Sequence, residues 1–185
     1  IDPVMGGHYP HEFSGGMRQR AMIAMALACS PQIVIADEPT TALDVIVQKQ
    51  LMDLLRGLKD EMNLSLIVIS HDISVLAELC DYLNIMYAGR IVEWGEINEI
   101  FRTPMHHYTH GLISTFPTVE DEERKQTFEY IPGAPPNLLD PPQGCRFHPR
   151  CPAATDVCRR DPPPEMTEIN ENHRVACHHP RGDQQ

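Results

Sequence analysis

The sequence predicts an α/β fold: a mainly parallel sheet with flanking helices, followed by an irregular proline- and cysteine-rich C-terminal extension. Three observations lead there. Two β-branched runs, Gln32 to Asp37 and Leu64 to Ser70, alternate with segments of helical apolar spacing, the rhythm of strands joined by helical crossovers. The first run ends in adjacent carboxylates and the second in Ser70-His71-Asp72, and a strand delivers such groups to the sheet edge where open α/β sheets bind ligands. From Pro117 onward the composition changes, with twelve of the 17 prolines and four of the six cysteines.

Taken in order, Ile1 to Glu12 holds Pro3, Gly6, Gly7 and Pro10 and reads as a loop. Ser14-Gly15-Gly16 then opens a helix of good helix formers through Ala28, in which Met17, Met22, Met25 and Leu27 read as core filler. Cys29 and Cys80 read as buried small hydrophobes. Both strands, being continuously apolar, are expected to be buried. Val47, Leu51, Leu54, Leu55, Leu58 and Met62 recur at helical spacing from Val45, giving an amphipathic helix closed by Asn63. Asp72 caps a short helix through Val75 and Leu79. Tyr82 to Tyr87 and Ile91 to Trp94 flank Ala88-Gly89-Arg90, a hairpin by its turn chemistry. Helical stretches Glu96 to Arg102 and His106 to Phe116 follow, separated by Pro104. A domain boundary is placed near Thr118, giving domains 1–117 and 118–185. Glu120 to Glu123 reads as a solvated linker.

Composition narrows the function. At 42% hydrophobic residues the 185-residue chain can bury a core, and its net charge of −11 argues against nucleic acid as a partner. No apolar run reaches the length of a membrane span. The chain begins with Ile1 and its motifs start almost at once, which is read as the mark of a fragment.

Ser14-Gly15-Gly16 at a helix start offers unpaired N–H groups and the positive end of the helix dipole, a ready anion site that glycines let a phosphate approach. Asp37 and Glu38 offer a magnesium ligand and a base. His71 follows the next strand and is expected on the same sheet edge as Glu38. Ser-Gly-Gly-x-x-Gln-Arg, Asp-Glu-Pro-Thr, Ala-Leu-Asp and Ser-His-Asp, in that order within about sixty residues, are specific as a set. This constellation resembles the ATP-binding subunit of ABC transporters. Tyr9-Pro10-His11-Glu12 and Met86-Tyr87-Ala88-Gly89 are similar to its oligopeptide/dipeptide importer branch.

The resemblance implies part of an ABC-type P-loop nucleotide-binding domain that uses ATP and Mg2+. Ser14, Gly15 and Gly16 would contact the γ-phosphate of ATP held by a second ATPase subunit. Asp37 would hold magnesium, Glu38 would polarise the attacking water, and His71 would stand as the switch histidine. Asp44 would sit in the loop that meets its counterpart across the dimer, or serve as a helix N-cap. Phe13 stands where the family usually has Leu, and Gln19 matches a signature residue of structural or inter-subunit role. No Gly-x-x-x-x-Gly-Lys-Ser/Thr loop occurs in the sequence, so this chain alone is expected not to hydrolyse ATP. The resemblance further implies a transmembrane permease as partner, peripheral attachment at the cytoplasmic face of the cell membrane, and peptides as cargo.

Cys145-x5-Cys151-x6-Cys158-x18-Cys177 departs from the Cys-x2-Cys spacing of common zinc modules. Four thiols in a segment too poor in aliphatic residues for its own core point to a cross-link: an iron–sulfur cluster, a structural zinc or disulfides. A reducing compartment disfavours disulfides, and spacing leaves the two metals even. The resemblance tips the choice, since some members of the branch carry a [4Fe–4S] cluster on such a pattern, with Zn2+ as the alternative. His148, His173, His178 and His179 are read as surface residues. Two functions compete: an ATPase subunit fragment driving peptide import, and a metal-binding regulatory or interaction module without ATPase activity.

Overall fold

The computed structural model describes residues 3–41, 43–115 and 131–182. The chain divides into two compact units, Ile1–Cys80 and Asp81–Gln185. Phe116, the boundary expected near Thr118 and the run Glu120 to Glu123 lie outside the described residues.

In the first unit, two short 3-10 turns lead to α1 (Gly15–Leu27), β1 (Ile33–Asp37), α2 (Val45–Met62), β2 (Ser65–Ile69) and α3 (Ile73–Leu79). Each helix starts where a side chain can cap it. Ser14 accepts from the Met17 N–H, Asp44 from Val47 and Asp72 from Ser74, satisfying donors that have no partner inside the helix. Asn63 ends α2 in the left-handed conformation at φ 49°, which Asn tolerates better than most residues. β1 and β2 pair in parallel, Ile33 opposite Ser65 through Asp37 opposite Ile69. The α2 stripe places Leu51, Met52 and Leu55 against Val75 and Leu79 of α3, with Leu66 and Val68 of β2 packed on that cluster. Arg56 donates to the Glu78 carbonyl at 2.8 Å, and Lys49 pairs with the Glu78 carboxylate, tying α2 to α3. Replacing Asp44 by Ala should cost about 1 kcal/mol through loss of the α2 cap. Urea denaturation checks this, and an unchanged midpoint would contradict it.

Three expectations about this unit are corrected. The strands are buried on one face only: Ile33, Ile35, Ile67 and Ile69 of the other face are exposed. A strand is buried on both faces only when a layer covers each, and here α2 and α3 serve one face. Met22 and Met25 are exposed, and α1 buries no residue. A helix apolar on every side needs neighbours all round it, and among the described residues α1 has them on one side. Cys29 is exposed in the turn after α1, while Cys80 is half-buried beside the core.

The second unit is built on an antiparallel sheet in the order β3-β4-β6-β5, formed by β3 (Tyr82–Tyr87), β4 (Arg90–Glu96), β5 (Thr167–Asn170) and β6 (His173–Val175), with α4 (Ile97–Arg102) and α5 (His107–Ile113) between β4 and β5 in sequence. The expected hairpin is present. Ala88 and Gly89 both take positive φ, 48° and 79°, as a two-residue turn matched to strand twist requires. Among the described residues parallel pairing is seen between β1 and β2, while β3 and β4, joined by a tight turn, can only run antiparallel.

The extension also departs from expectation. β6 is an interior strand, pairing with β4 through Glu93–Val175, Trp94–Arg174 and Gly95–His173, although so proline-rich a segment is a poor source of central strands. The prolines stop at Pro164 and resume at Pro180, leaving a run able to donate to a ladder. Gly95 permits the approach, since a Cβ there would stand 2.8 Å from the Asn172 carbonyl oxygen. Nor is the extension without packed residues. Phe147 and Val175 are buried, and Phe147 meets Tyr87 edge-on with ring centroids 5.1 Å apart. Arg150 gathers the segment 131–133, donating to the Pro132 carbonyl at 2.7 Å and to the Tyr87 hydroxyl at 3.2 Å.

Candidate functional site

The end of β1 carries the densest chemistry of the first unit. Asp37 is the last residue of the strand and is exposed; Glu38 follows with φ at 47°. A non-glycine residue in the left-handed region carries strain of about 1–3 kcal/mol, and such outliers gather at functional sites. Several contacts hold Glu38 there. Its N–H donates to the Ile69 carbonyl at 2.8 Å, extending the β1–β2 ladder by one bond. Its carboxylate accepts from the Thr41 hydroxyl at 3.0 Å and from the His71 N–H at 3.2 Å. The His71 ring completes the set, with Nδ1 at 2.9 Å from one carboxylate oxygen and 3.0 Å from the other.

The parallel register explains the meeting. Asp37 stands opposite Ile69, so the residues just beyond each strand emerge at one edge, and a glutamate and a histidine distant in sequence come within hydrogen-bond reach. The pair sets its own electrostatics. The hydrogen bond from His71 lowers the Glu38 carboxyl below its ordinary range, with Thr41 adding to the effect. The same hydrogen bond, helped by the Glu38 charge, raises His71. At neutral pH this keeps Glu38 ionised beside Asp37, so two carboxylates share one exposed edge.

Ser14 stands at the start of α1 and caps it, its Oγ accepting from Met17 N at 3.3 Å and leaving the hydroxyl hydrogen free to donate. Gly15 and Gly16 form the first helical turn. Gly16 has a packing reason to be glycine beside the chemical one: a Cβ would lie 2.8 Å from the Val47 side chain. Asp44 is the N-cap of α2, as one of its two sequence readings expects. Gln19 lines an apolar groove between α1 and β1 together with Met22, Val34 and Pro39.

Comparisons with known proteins match these elements in order. The profile described as "ABC transporter" matches residues 4–41, and that described as "Oligopeptide/dipeptide transporter, C-terminal region" matches residues 92–158. The oligopeptide transport ATP-binding protein OppD of Escherichia coli is 52% identical over 172 residues, covering 93% of this chain and 50% of that protein. The chain is similar to the ABC-transporter ATP-binding family, and to its oligopeptide branch. OppD of Salmonella typhimurium is 54% identical over 157 residues, 85% of this chain and 46% of the relative. OppD of Haemophilus influenzae is 52% identical over 171 residues, 92% and 52% respectively. The chain therefore spans about half the length of the curated relatives it matches.

The match to the oligopeptide/dipeptide C-terminal region includes Cys145, Cys151 and Cys158, and Cys177 lies beyond it. Cys158 is buried, and Cys145, Cys151 and Cys177 are half-buried. The Cys145 N–H donates to the Cys158 carbonyl at 2.9 Å, so two of them are neighbours through the backbone. Burial raises the thiols of Cys145 and Cys151 and pushes Cys177 up to about 12, and the charges of the other cysteines add to each shift. The four thus lie within electrostatic reach of one another. No group of three or more ligating side chains stands at metal-holding spacing among the described residues. No described helix is long and apolar enough to cross a membrane.

Sequence reasoning missed one buried constellation in the oligopeptide-branch region. His173, read as a surface residue, is 1% exposed, and its Nε2 lies 2.6 Å from the carboxylate of Glu93, itself fully buried. That carboxylate also accepts from the backbone N–H groups of Met105 at 2.7 Å and His106 at 2.9 Å. No local signal marked it: Glu93 lies between Val92 and Trp94, where strand alternation alone would turn it outward, and Val92 and Glu93 are in fact both buried.

Proposed function

We propose that this chain is the C-terminal part of an ATP-hydrolysing subunit that powers oligopeptide import through a transmembrane permease. It would act beside a second ATPase subunit, with residues 1–117 belonging to the ATPase domain and 118–185 to the extension. The subunit would lie peripherally at the cytoplasmic face of the cell membrane. The observation that carries this reading is the Glu38–His71 contact next to Asp37, on a strained backbone at the end of a parallel strand. In it, Glu38 is the ionised carboxylate that orients and activates water, and His71 positions it. Asp37 is the open carboxylate that would hold Mg2+, which supplies charge neutralisation for the phosphates when bound. Ser14, Gly15, Gly16 and the α1 N-terminus are donors suited to a γ-phosphate presented by the partner subunit. Asp44 would stand in the loop facing that subunit.

The test compares two proteins. The chain of 185 residues should show no magnesium-dependent ATPase activity, lacking a phosphate-cradling loop and its lysine. The complete subunit, assembled with its permease, should hydrolyse ATP in a peptide-dependent manner. Turnover by the isolated chain, or none by the complete assembly, contradicts the proposal.

A second reading concerns the extension, as a metal-binding regulatory or interaction module. Cys145, Cys151, Cys158 and Cys177 are four buried or half-buried free thiols, the residue type from which metal cross-links of core-poor segments are built. This reading assigns them as the ligands of a [4Fe–4S] cluster, with Zn2+ as the alternative. Anaerobically purified protein should be brown and contain about four iron and four sulfide per chain. Changing any of the four to Ser should remove the colour, whereas changing Cys29 should not. Colourless protein with about one zinc per chain keeps the ligands and replaces the cluster; metal-free protein removes both.

A further inference from the structure

Glu38 is gripped from two sides, and the two grips differ in stiffness. On the β2 side stands His71, whose ring nitrogen approaches both carboxylate oxygens, at 2.9 and 3.0 Å. That side chain is 83% exposed, so few neighbours fix its rotamer. On the other side stands Thr41, whose hydroxyl donates to Glu38 Oε2 at 3.0 Å. A threonine has a single heavy-atom side-chain torsion, and its β-branch restricts that one.

The backbone under Thr41 is held as well. Glu38, Pro39, Thr40 and Thr41 form a turn closed by the Thr41 N–H on the Glu38 carbonyl at 3.2 Å. Proline at the second position presets the backbone for such a turn, and Thr40 is buried. The hydroxyl therefore reaches back from a fixed frame to the carboxylate of the residue that opens the turn. Because Glu38 leaves the strand at φ 47°, strand geometry does not aim its side chain, and these contacts do.

We propose that Thr41 is a positioning residue for Glu38, its hydroxyl holding the carboxylate in the orientation from which it orients the attacking water. This rests on the reading of Glu38 as the water-activating carboxylate. Displacing a reacting group by about 1 Å can cost about a hundredfold in rate. His71 keeps its hold when Thr41 is lost, so the cost here is smaller, about tenfold. Losing a donor would by itself make the carboxylate a stronger base, so a fall in turnover reports lost position rather than lost basicity.

The test measures the complete subunit, assembled with its permease, as wild type, Thr41→Val and Thr41→Ser. Valine keeps the branched shape and deletes the hydroxyl, while serine keeps the hydroxyl. Peptide-dependent turnover by the wild type checks the reading of Glu38 itself. Thr41→Val should then lower kcat about tenfold with KM for ATP unchanged, counted per bound nucleotide so that only folded sites enter. Thr41→Ser should stay within about twofold of wild type. Wild-type kcat in Thr41→Val overturns the proposal and leaves Glu38 in its role. So does Thr41→Ser as slow as Thr41→Val, which assigns the effect to the methyl group, or a raised KM at unchanged kcat, which moves Thr41 to nucleotide binding. No turnover by the wild-type assembly removes the reading of Glu38 and this inference with it.

Discussion

Replacing Glu38 by Gln in the complete subunit lowers ATP turnover by about a hundred- to ten-thousand-fold, the contribution of a positioned general base. That is about 3–5 kcal/mol of barrier. Nucleotide binding should be retained, because Gln fills the same space, its amide oxygen can still accept from the His71 N–H, and the Thr41 hydroxyl can turn to accept from its NH2 group. Turnover should therefore fall without a matching rise in KM. Single-turnover hydrolysis together with equilibrium nucleotide binding separates the two, and wild-type turnover in the variant would remove Glu38 from the reaction.

The same pair has a pH signature of defined sign. His71 is raised in the folded state, so what it lends to stability is fully present below the ordinary histidine value and fades as pH rises through the raised one. Glu38 is lowered, so its part is present above the ordinary carboxylate value and fades as pH falls through the lowered one. The contact is strongest in the window between. Both side chains meet solvent, so salt should weaken it. An NMR titration of the His71 ring reads the shift directly, and a midpoint below that of a free histidine would contradict the contact.

The second large effect belongs to Glu93. Glu93→Ala should destabilise the chain by about 3–5 kcal/mol, since it removes one member of a fully buried pair and strands the other. The carboxylate serves three donors at once: the His173 ring, the Met105 N–H and the His106 N–H. It therefore holds β6 and the turn before α5 to β4 simultaneously. Against a typical total of about 5–15 kcal/mol, such a loss should lower the urea midpoint by a large fraction and open the β5–β6 hairpin to proteolysis. Glu93→Gln should cost less, because its amide oxygen keeps an acceptor for one of the two backbone groups. A midpoint within error of wild type for Glu93→Ala would show that the pair contributes no net stability.

Local information was enough for much of the fold and for the motif edge. Capping at Asp44 and Asp72, termination at Asn63 and the turn at Ala88-Gly89 depend on the residue and its nearest neighbours, so the sequence alone determined them. The α2 stripe did the same for the core of the first unit, because its spacing defines which face is buried. The meeting of Glu38 with His71 was also legible in outline, since two strands of one parallel sheet release their next residues at one edge. Its grip was not: the φ of 47° and the bidentate approach of the ring depend on the register with β2. The burial of His173, the insertion of β6 beside β4 and the exposure of Ile33, Ile35, Met22 and Met25 were decided by tertiary structure alone. Composition reports what a segment could bury, whereas burial depends on which surface a distant segment brings against it, and that is set by long-range pairing that no local pattern encodes.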